Sequence, residues 1–160
     1  MTQDQPRHSA QQFPPYTYVP GRAPHPVSDP AGHMHGHEPP QPPPLDPDHW
    51  QDSDTYLFGI DLFNHGYYWE AHEAWESLWH AAERQGTVAD FLKGLIKLAA
   101  AGVKSLEENP AGVERHTNRA VELLSSVSQS STRYCGINLE SVLAKCRSDA
   151  LATITLEPIE

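Results

Sequence analysis

From Asp54 onward the apolar positions recur at the three-and-four spacing of α-helices, whereas before it they follow no period at all. A first helix is predicted to begin at Asp52-Ser-Asp54, residue types that cap helix N-termini, to run through Tyr56, Ile60 and Phe63, and to stop at Gly66. The spacing predicts a second helix over about 67–82 and a third over about 87–108. In the third, Phe91, Leu92, Leu95, Ile96, Leu98 and Val103 spread over an arc much wider than an amphipathic stripe. It should be the central helix, with Lys93, Lys97 and Lys104 on its solvated side. A fourth is announced by Asn109 as N-cap and Pro110 at the first helical position; it packs Val113, Thr117, Ala120, Leu124 and Val127, and ends in the Ser-rich run 125–132. A last helix is expected from about Asn138 to Ala150, offering Leu139, Val142, Leu143 and Cys146. Thr153-Ile-Thr-Leu156 reads equally as irregular or extended. The expected class is all-α: a compact bundle of about five helices, two helical hairpins plus a closing helix, over residues 51–152, with 153–160 as an irregular C-terminal tail.

Residues 1–50 form the other region. They hold 13 of the 15 prolines and 6 of the 10 histidines, so often interrupted that neither helix nor sheet ladder can propagate, and a disordered Pro/His-rich tail is expected. Pro39-Pro-Gln-Pro-Pro-Pro44 favours local polyproline II, most simply as a spacer. His33, His35 and His37, with His25 and His49 nearby, are able to chelate a metal on a floppy chain, although without preorganisation such binding is weak and unselective.

The net charge of −10 is shared by both regions, and a negative surface repels phosphate backbones, so neither nucleic acid nor an anionic membrane is an expected partner. Met1-Thr-Gln-Asp-Gln-Pro6 has no basic region followed by an apolar run, and no stretch reaches the roughly twenty apolar residues that span a bilayer, which makes a cytoplasmic protein the expectation. Cys135 and Cys146 lack close spacing and read as free thiols.

Candidate chemistry lies on the second helix. On a helical wheel Tyr68, Ala71, Trp75, Leu78 and Trp79 define its core-facing side. His72 falls on that side, followed around the helix by Glu76, His80 and Glu73, beside Trp69; Glu70, Ala74, Ser77 and Ala81 lie opposite. His72 and Glu76 are one turn apart, as are Glu76 and His80, so each pair can hydrogen-bond or share a ligand. An ionisable group beside tryptophans is costly to desolvate, so His72 must be neutral, paired or holding something.

Three readings follow. In the first, Glu76 or a backbone carbonyl accepts a hydrogen bond from His72 and the arrangement is purely structural. In the second, a divalent metal is held by His72 and Glu76, with His80 or Glu73 and a ligand from a facing helix such as Asp61, His65 or His116. In the third, Glu73 or Glu76 is a general base and His72 its partner acid, although no nucleophile, oxyanion donor or phosphate loop accompanies them. His72-Glu-Ala-Trp-Glu76 also invites comparison with the H-E-x-x-H zinc motif, but its second histidine is replaced by Glu76.

The stretch Gly59-Ile-Asp-Leu-Phe-Asn-His-Gly-Tyr-Tyr-Trp-Glu-Ala-His-Glu-Ala-Trp-Glu-Ser-Leu-Trp79, followed by Phe91-Leu-Lys-Gly-Leu-Ile-Lys-Leu-Ala-Ala-Ala101, closely resembles the domain of unknown function 309 family over about Tyr56 to Leu124. The resemblance implies a compact helical bundle with Tyr68, Glu70, His72, Glu73, Glu76 and Trp79 as its signature, and brings no established activity. Trp75 stands where the family pattern leads one to expect a smaller aliphatic residue. A weaker likeness to tetratricopeptide hairpins, at Gly66-Tyr-Tyr-Trp-Glu-Ala71 and Glu108-Asn-Pro-Ala-Gly112, lacks the repeat period of a solenoid.

The leading expectation is therefore a non-catalytic module that binds a protein or small ligand in the groove beside the second helix, where Trp69, His72, Glu73 and Glu76 meet. The alternative is a metal-dependent, hydrolase-like enzyme with His72 and Glu76 as ligands and Glu73 as general base. Self-association through the wide apolar face of the third helix is a further expectation.

Overall fold

The computed structural model describes residues 5–148 and 151–160. Among them five α-helices carry the fold: α1 (Asp54–Asn64), α2 (Tyr68–Ala81), α3 (Thr87–Leu106), α4 (Pro110–Ser128) and α5 (Leu139–Arg147). The compact all-α bundle expected from the periodicity is present. The expected extension of the last helix to Ala150 lies outside the described residues. Ser53, Asn109 and Asn138 cap α1, α4 and α5 by accepting hydrogen bonds from the backbone N–H of Tyr56, Gly112 and Ser141, satisfying donors that a helix start leaves orphaned.

Helix α3 packs between α2 and α4, α1 lies against α2, and α5 against α4. Its broad apolar arc is thereby covered within the chain: Phe91, Leu92, Leu95, Leu98 and Ala99 are all fully buried. Two close approaches depend on missing side chains. Gly94 of α3 receives Leu124 of α4, and Gly59 of α1 receives the indole of Trp75, where any Cβ would meet its ring nitrogen. That second pairing explains how α2 accommodates a tryptophan at a position expected to be smaller. Trp75 is completely buried and its Nε1–H donates to the Tyr56 carbonyl at 3.3 Å.

Among the described residues three elements were not expected from the sequence, one of them a 3₁₀ turn at Leu151–Thr153 that follows α5. A short 3₁₀ turn, Trp50–Asp52, precedes α1, and a two-residue hairpin pairs β1 (Arg133–Tyr134) with β2 (Ile137–Asn138) in antiparallel register. Its turn, Cys135-Gly136, has positive φ at both residues, +46° and +80°, the geometry tight hairpins require. Tyr56, fully buried in the first turn of α1, donates its hydroxyl to the Cys135 carbonyl at 2.8 Å and ties the hairpin to the core. Both cysteines are free and buried. Burial pushes the Cys135 thiol up to about 12 and that of Cys146 to about 11, so both stay protonated near neutrality.

Segment 5–49 carries no helix or strand, in keeping with its prolines. It differs from a free tail in following the bundle surface: Val19 and Leu45 are buried, and residues 7–18 cross α1 and α2. The reason is electrostatic, because Asp61 and Glu70 are buried carboxylates whose side-chain hydrogen-bond partners come from this segment. Ile154 and Leu156 are also buried, and Asn64 grips Leu156 at both backbone groups, so residues 154–156 are irregular yet anchored. No helix among the described residues is long and apolar enough to cross a membrane.

Candidate functional site

Helix α2 begins directly after a turn at Gly66, where φ is +85°, and its inward face is fixed by Ala71, Trp75 and Leu78, all fully buried. Once that face is seated, the 100° step of the helix leaves His72, Glu73 and Glu76 on the flank turned toward solvent. Their side chains are 26 %, 48 % and 33 % exposed. His72 Nε2 lies 3.1 Å from Glu76 Oε2, and His72 Nδ1 lies 3.3 Å from Glu73 Oε1. Nδ1 is nevertheless sealed from water without a properly aligned hydrogen bond. One donor atom from each of the three residues falls within 4.8 Å of the others.

The charges nearest this flank come from the neighbouring helices. Lys97 of α3 is held below the usual lysine range by burial and then by Lys93, Arg119 and Arg115, while Glu76 acts in the opposite direction. His116 of α4 is pushed below the ordinary imidazole value by burial, then by Lys97, Arg115, Lys104 and His72. Trp79 carries Lys93 over its ring at 4.2 Å, so its face is occupied by a cation from α3.

Several residues named from the sequence are placed elsewhere. His80 does not join the trio: its Nδ1 accepts a hydrogen bond from Arg84 Nε at 3.0 Å, and its Nε2 is 3.8 Å from Glu76. Asp61 is fully buried under Arg7, and His65 points its Nδ1 at the Asp61 carbonyl, 2.8 Å away, with its ring against Phe13. Of the facing-helix candidates, His116 lies where it feels the charge of His72. Tyr68 packs against Gly102 and Phe63 as a structural residue. Trp69 and Glu70 meet the N-terminal segment: Trp69 makes edge contacts with Tyr18 and His25, and Glu70 accepts hydrogen bonds from Thr17 and Tyr18. Burial pushes the Glu70 carboxyl above its ordinary value, against the pull of those bonds. The tail histidines do not converge as a ligand set: His25 and His33 pack instead against Tyr18 and Tyr16.

The flank is a surface feature. Two depressions, of about 810 and 310 Å³, lie along α4 and α5 and along the C-terminal segment, and neither is lined by a residue of α2.

Residues 56–116 match the family model described as Domain of unknown function (DUF309). Over that segment the chain is similar to the DUF309 family. The matched residues run from the first turn of α1 to the second turn of α4, so the DUF309 segment contains the whole His72–Glu76 flank, the α3 lysines and His116. The N-terminal segment, the hairpin and α5 lie outside it. No curated protein matches the chain.

Sequence reasoning missed the docking of the N-terminal segment. A signal was present: Asp61 interrupts the apolar run Ile60-Asp-Leu-Phe63, and a carboxylate so placed must find hydrogen-bond donors somewhere.

Proposed function

We propose that the helical domain is a non-catalytic binding module whose polar α2 flank, at His72, Glu73 and Glu76, takes its ligand. The observation that carries this reading is the convergence of one imidazole and two carboxylates within 4.8 Å, with His72 Nδ1 buried and lacking a hydrogen bond. The simplest chemistry these donors fit is a divalent cation. Tetrahedral zinc holds nitrogen and oxygen donors at about 2.0–2.2 Å, which places neighbouring donors about 3.3–3.5 Å apart. The trio reaches that spacing through side-chain shifts of about an ångström, within the freedom of two partly exposed glutamates. Three protein donors leave the fourth coordination position for a carboxylate or other oxygen ligand from a protein or small molecule.

A second reading, a metal-dependent hydrolase with His72 and Glu76 as ligands and Glu73 as base, rests on the same convergence. Glu73 is 48 % exposed, so it lacks the apolar enclosure that poises a carboxylate as a base near neutral pH. Binding without catalysis is therefore the better-supported use.

Titration calorimetry of the full chain with Zn(II), beside His72→Ala and Glu76→Ala, tests the proposal. Both variants should lose one saturable site while any weak binding by tail histidines persists. Identical isotherms for all three proteins overturn it. Zinc-stimulated ester hydrolysis that disappears in Glu73→Gln, with zinc binding retained, would establish the enzyme reading instead.

A further inference from the structure

A second surface of α1 and α2, distinct from the His72 flank, has the chemistry of a peptide receptor. Asp61 is fully buried, yet both of its oxygens are used by one extended stretch of chain. Oδ2 accepts from Arg7 Nε at 3.0 Å and from the Ser9 backbone N–H at 2.9 Å, and Oδ1 accepts from the His8 N–H at 2.9 Å. One turn into α2, Glu70 repeats the arrangement, accepting from the Thr17 hydroxyl at 2.7 Å and from the Tyr18 N–H at 2.9 Å. Between the two carboxylates Phe13 stacks on Tyr67 with ring centroids 4.9 Å apart and lies against His65 at 4.8 Å, while the Arg7 guanidinium covers its other side at 4.0 Å.

Three of these contacts are to backbone N–H groups, which any extended, non-proline residue presents. Selectivity resides in the side-chain contacts: a basic residue paired with Asp61, an aromatic residue six positions later against Tyr67 and His65, and a hydroxyl on Glu70. Asp61, His65, Tyr67 and Glu70 all lie in the DUF309 segment, whereas residues 7–18 lie outside it. The receptor thus belongs to the matched segment and its occupant to an attached strap without secondary structure.

The geometry points to the α1–α2 corner as a recognition site for an extended peptide carrying an arginine and, six residues on, an aromatic side chain, a site that residues 7–18 fill in cis as a displaceable pseudo-ligand. Tethering gives the cis segment an effective concentration on the order of millimolar, so a peptide in trans binds well only when the strap is weakened. This does not depend on the His72 flank, and its test reads different residues.

The experiment uses the full chain carrying Arg7→Ala and Phe13→Ala, substitutions in the strap that leave the receptor intact. A fluorescent peptide of residues 5–20 should bind this variant saturably by anisotropy and bind the unsubstituted chain at least tenfold more weakly. The same peptide with Arg7→Ala and Phe13→Ala should bind the variant at least tenfold more weakly than the native peptide. Hydrogen exchange supplies the internal control: the amides of His8, Ser9 and Tyr18 should be protected in the unsubstituted chain and become fast in the variant, with α3 amides unchanged. Equal peptide binding by both proteins, no binding by a variant whose strap amides are fast, or unprotected strap amides in the unsubstituted chain overturns the proposal. Concentration-dependent strap protection accompanied by dimerisation in light scattering also overturns it, because the segment is then supplied by a second copy.

Discussion

Gly59→Ala is the sharpest test of how the bundle accommodates α2. A Cβ at this position would lie 2.3 Å from Trp75 Nε1 and 2.7 Å from Cδ1 and Cε2 of the same indole. Carbon contacts are comfortable at about 3.5–4.0 Å, so the ring must retreat by about 1 Å. Trp75 is fully buried and bonded to the Tyr56 carbonyl, so the ring cannot move into solvent and the strain is shared by the core. Overpacking of this kind costs about 1–3 kcal/mol, and straining or breaking the buried indole bond adds about 1 kcal/mol or more. Replacing a helical glycine with alanine returns about 1 kcal/mol. The expected net loss is about 1–3 kcal/mol, read by urea denaturation of the full chain. A double-mutant cycle makes the test specific. Trp75→Leu alone should cost about 3 kcal/mol through the space it vacates. Adding Gly59→Ala to that variant should then be neutral or stabilising, because the new methyl enters the vacancy. If Gly59→Ala stabilises the unsubstituted protein, or has the same effect in both backgrounds to within about 0.5 kcal/mol, the packing argument is wrong.

Asn64→Ala removes the side chain that accepts from Leu156 N–H and donates to Leu156 O; a loss of about 1–3 kcal/mol and faster proteolytic release of the C-terminal residues are expected, whereas unchanged cleavage kinetics would contradict the anchoring role. His116 is held below its ordinary 6.5 by burial and neighbouring positive charge, so on acidification the unfolded chain takes up this proton first. The contribution of His116 is therefore complete above that pH and declines below it, and His116→Gln should show a shallower loss of stability between about pH 7.5 and pH 5.5; an unchanged slope counts against the argument. Cys135 and Cys146, with thiols pushed to about 12 and about 11, should react with a thiol reagent near pH 8 only as fast as the protein opens, and prompt reaction of both would refute their burial.

The helices were legible where sequence and tertiary demands coincide. Asn109-Pro110 marks a helix start by local chemistry alone, and the wide apolar arc around Leu95 and Leu98 needed only the rule that buried helices are apolar on most sides. The hairpin was illegible because its turn places Cys135, an unusual residue for positive φ, before Gly136, and its strands are two residues long. On α2 the periodicity put His72 on the buried face with Glu76 one turn away; the one-turn pairing is present, but the ring is 26 % exposed on the flank of that face, because Ala71, Trp75 and Leu78 fill the seam with the neighbouring helices. The periodicity could not show that His80 is taken by Arg84, or that Trp69 and Glu70 serve a different surface, since those assignments depend on residues far away in sequence or on side-chain rotamers. Composition likewise described the proline-rich segment as lacking helix and strand, but its docking arises from two carboxylates located elsewhere in the chain.

The most direct test of the proposed ligand site is anomalous scattering from crystals of the full chain grown with Zn(II). The account predicts a peak within about 2.0–2.2 Å of a His72 ring nitrogen and a Glu76 carboxylate oxygen, with Glu73 drawn toward it. A well-ordered α2 with no peak at His72, or zinc found only on the histidines of residues 25–49, would contradict it.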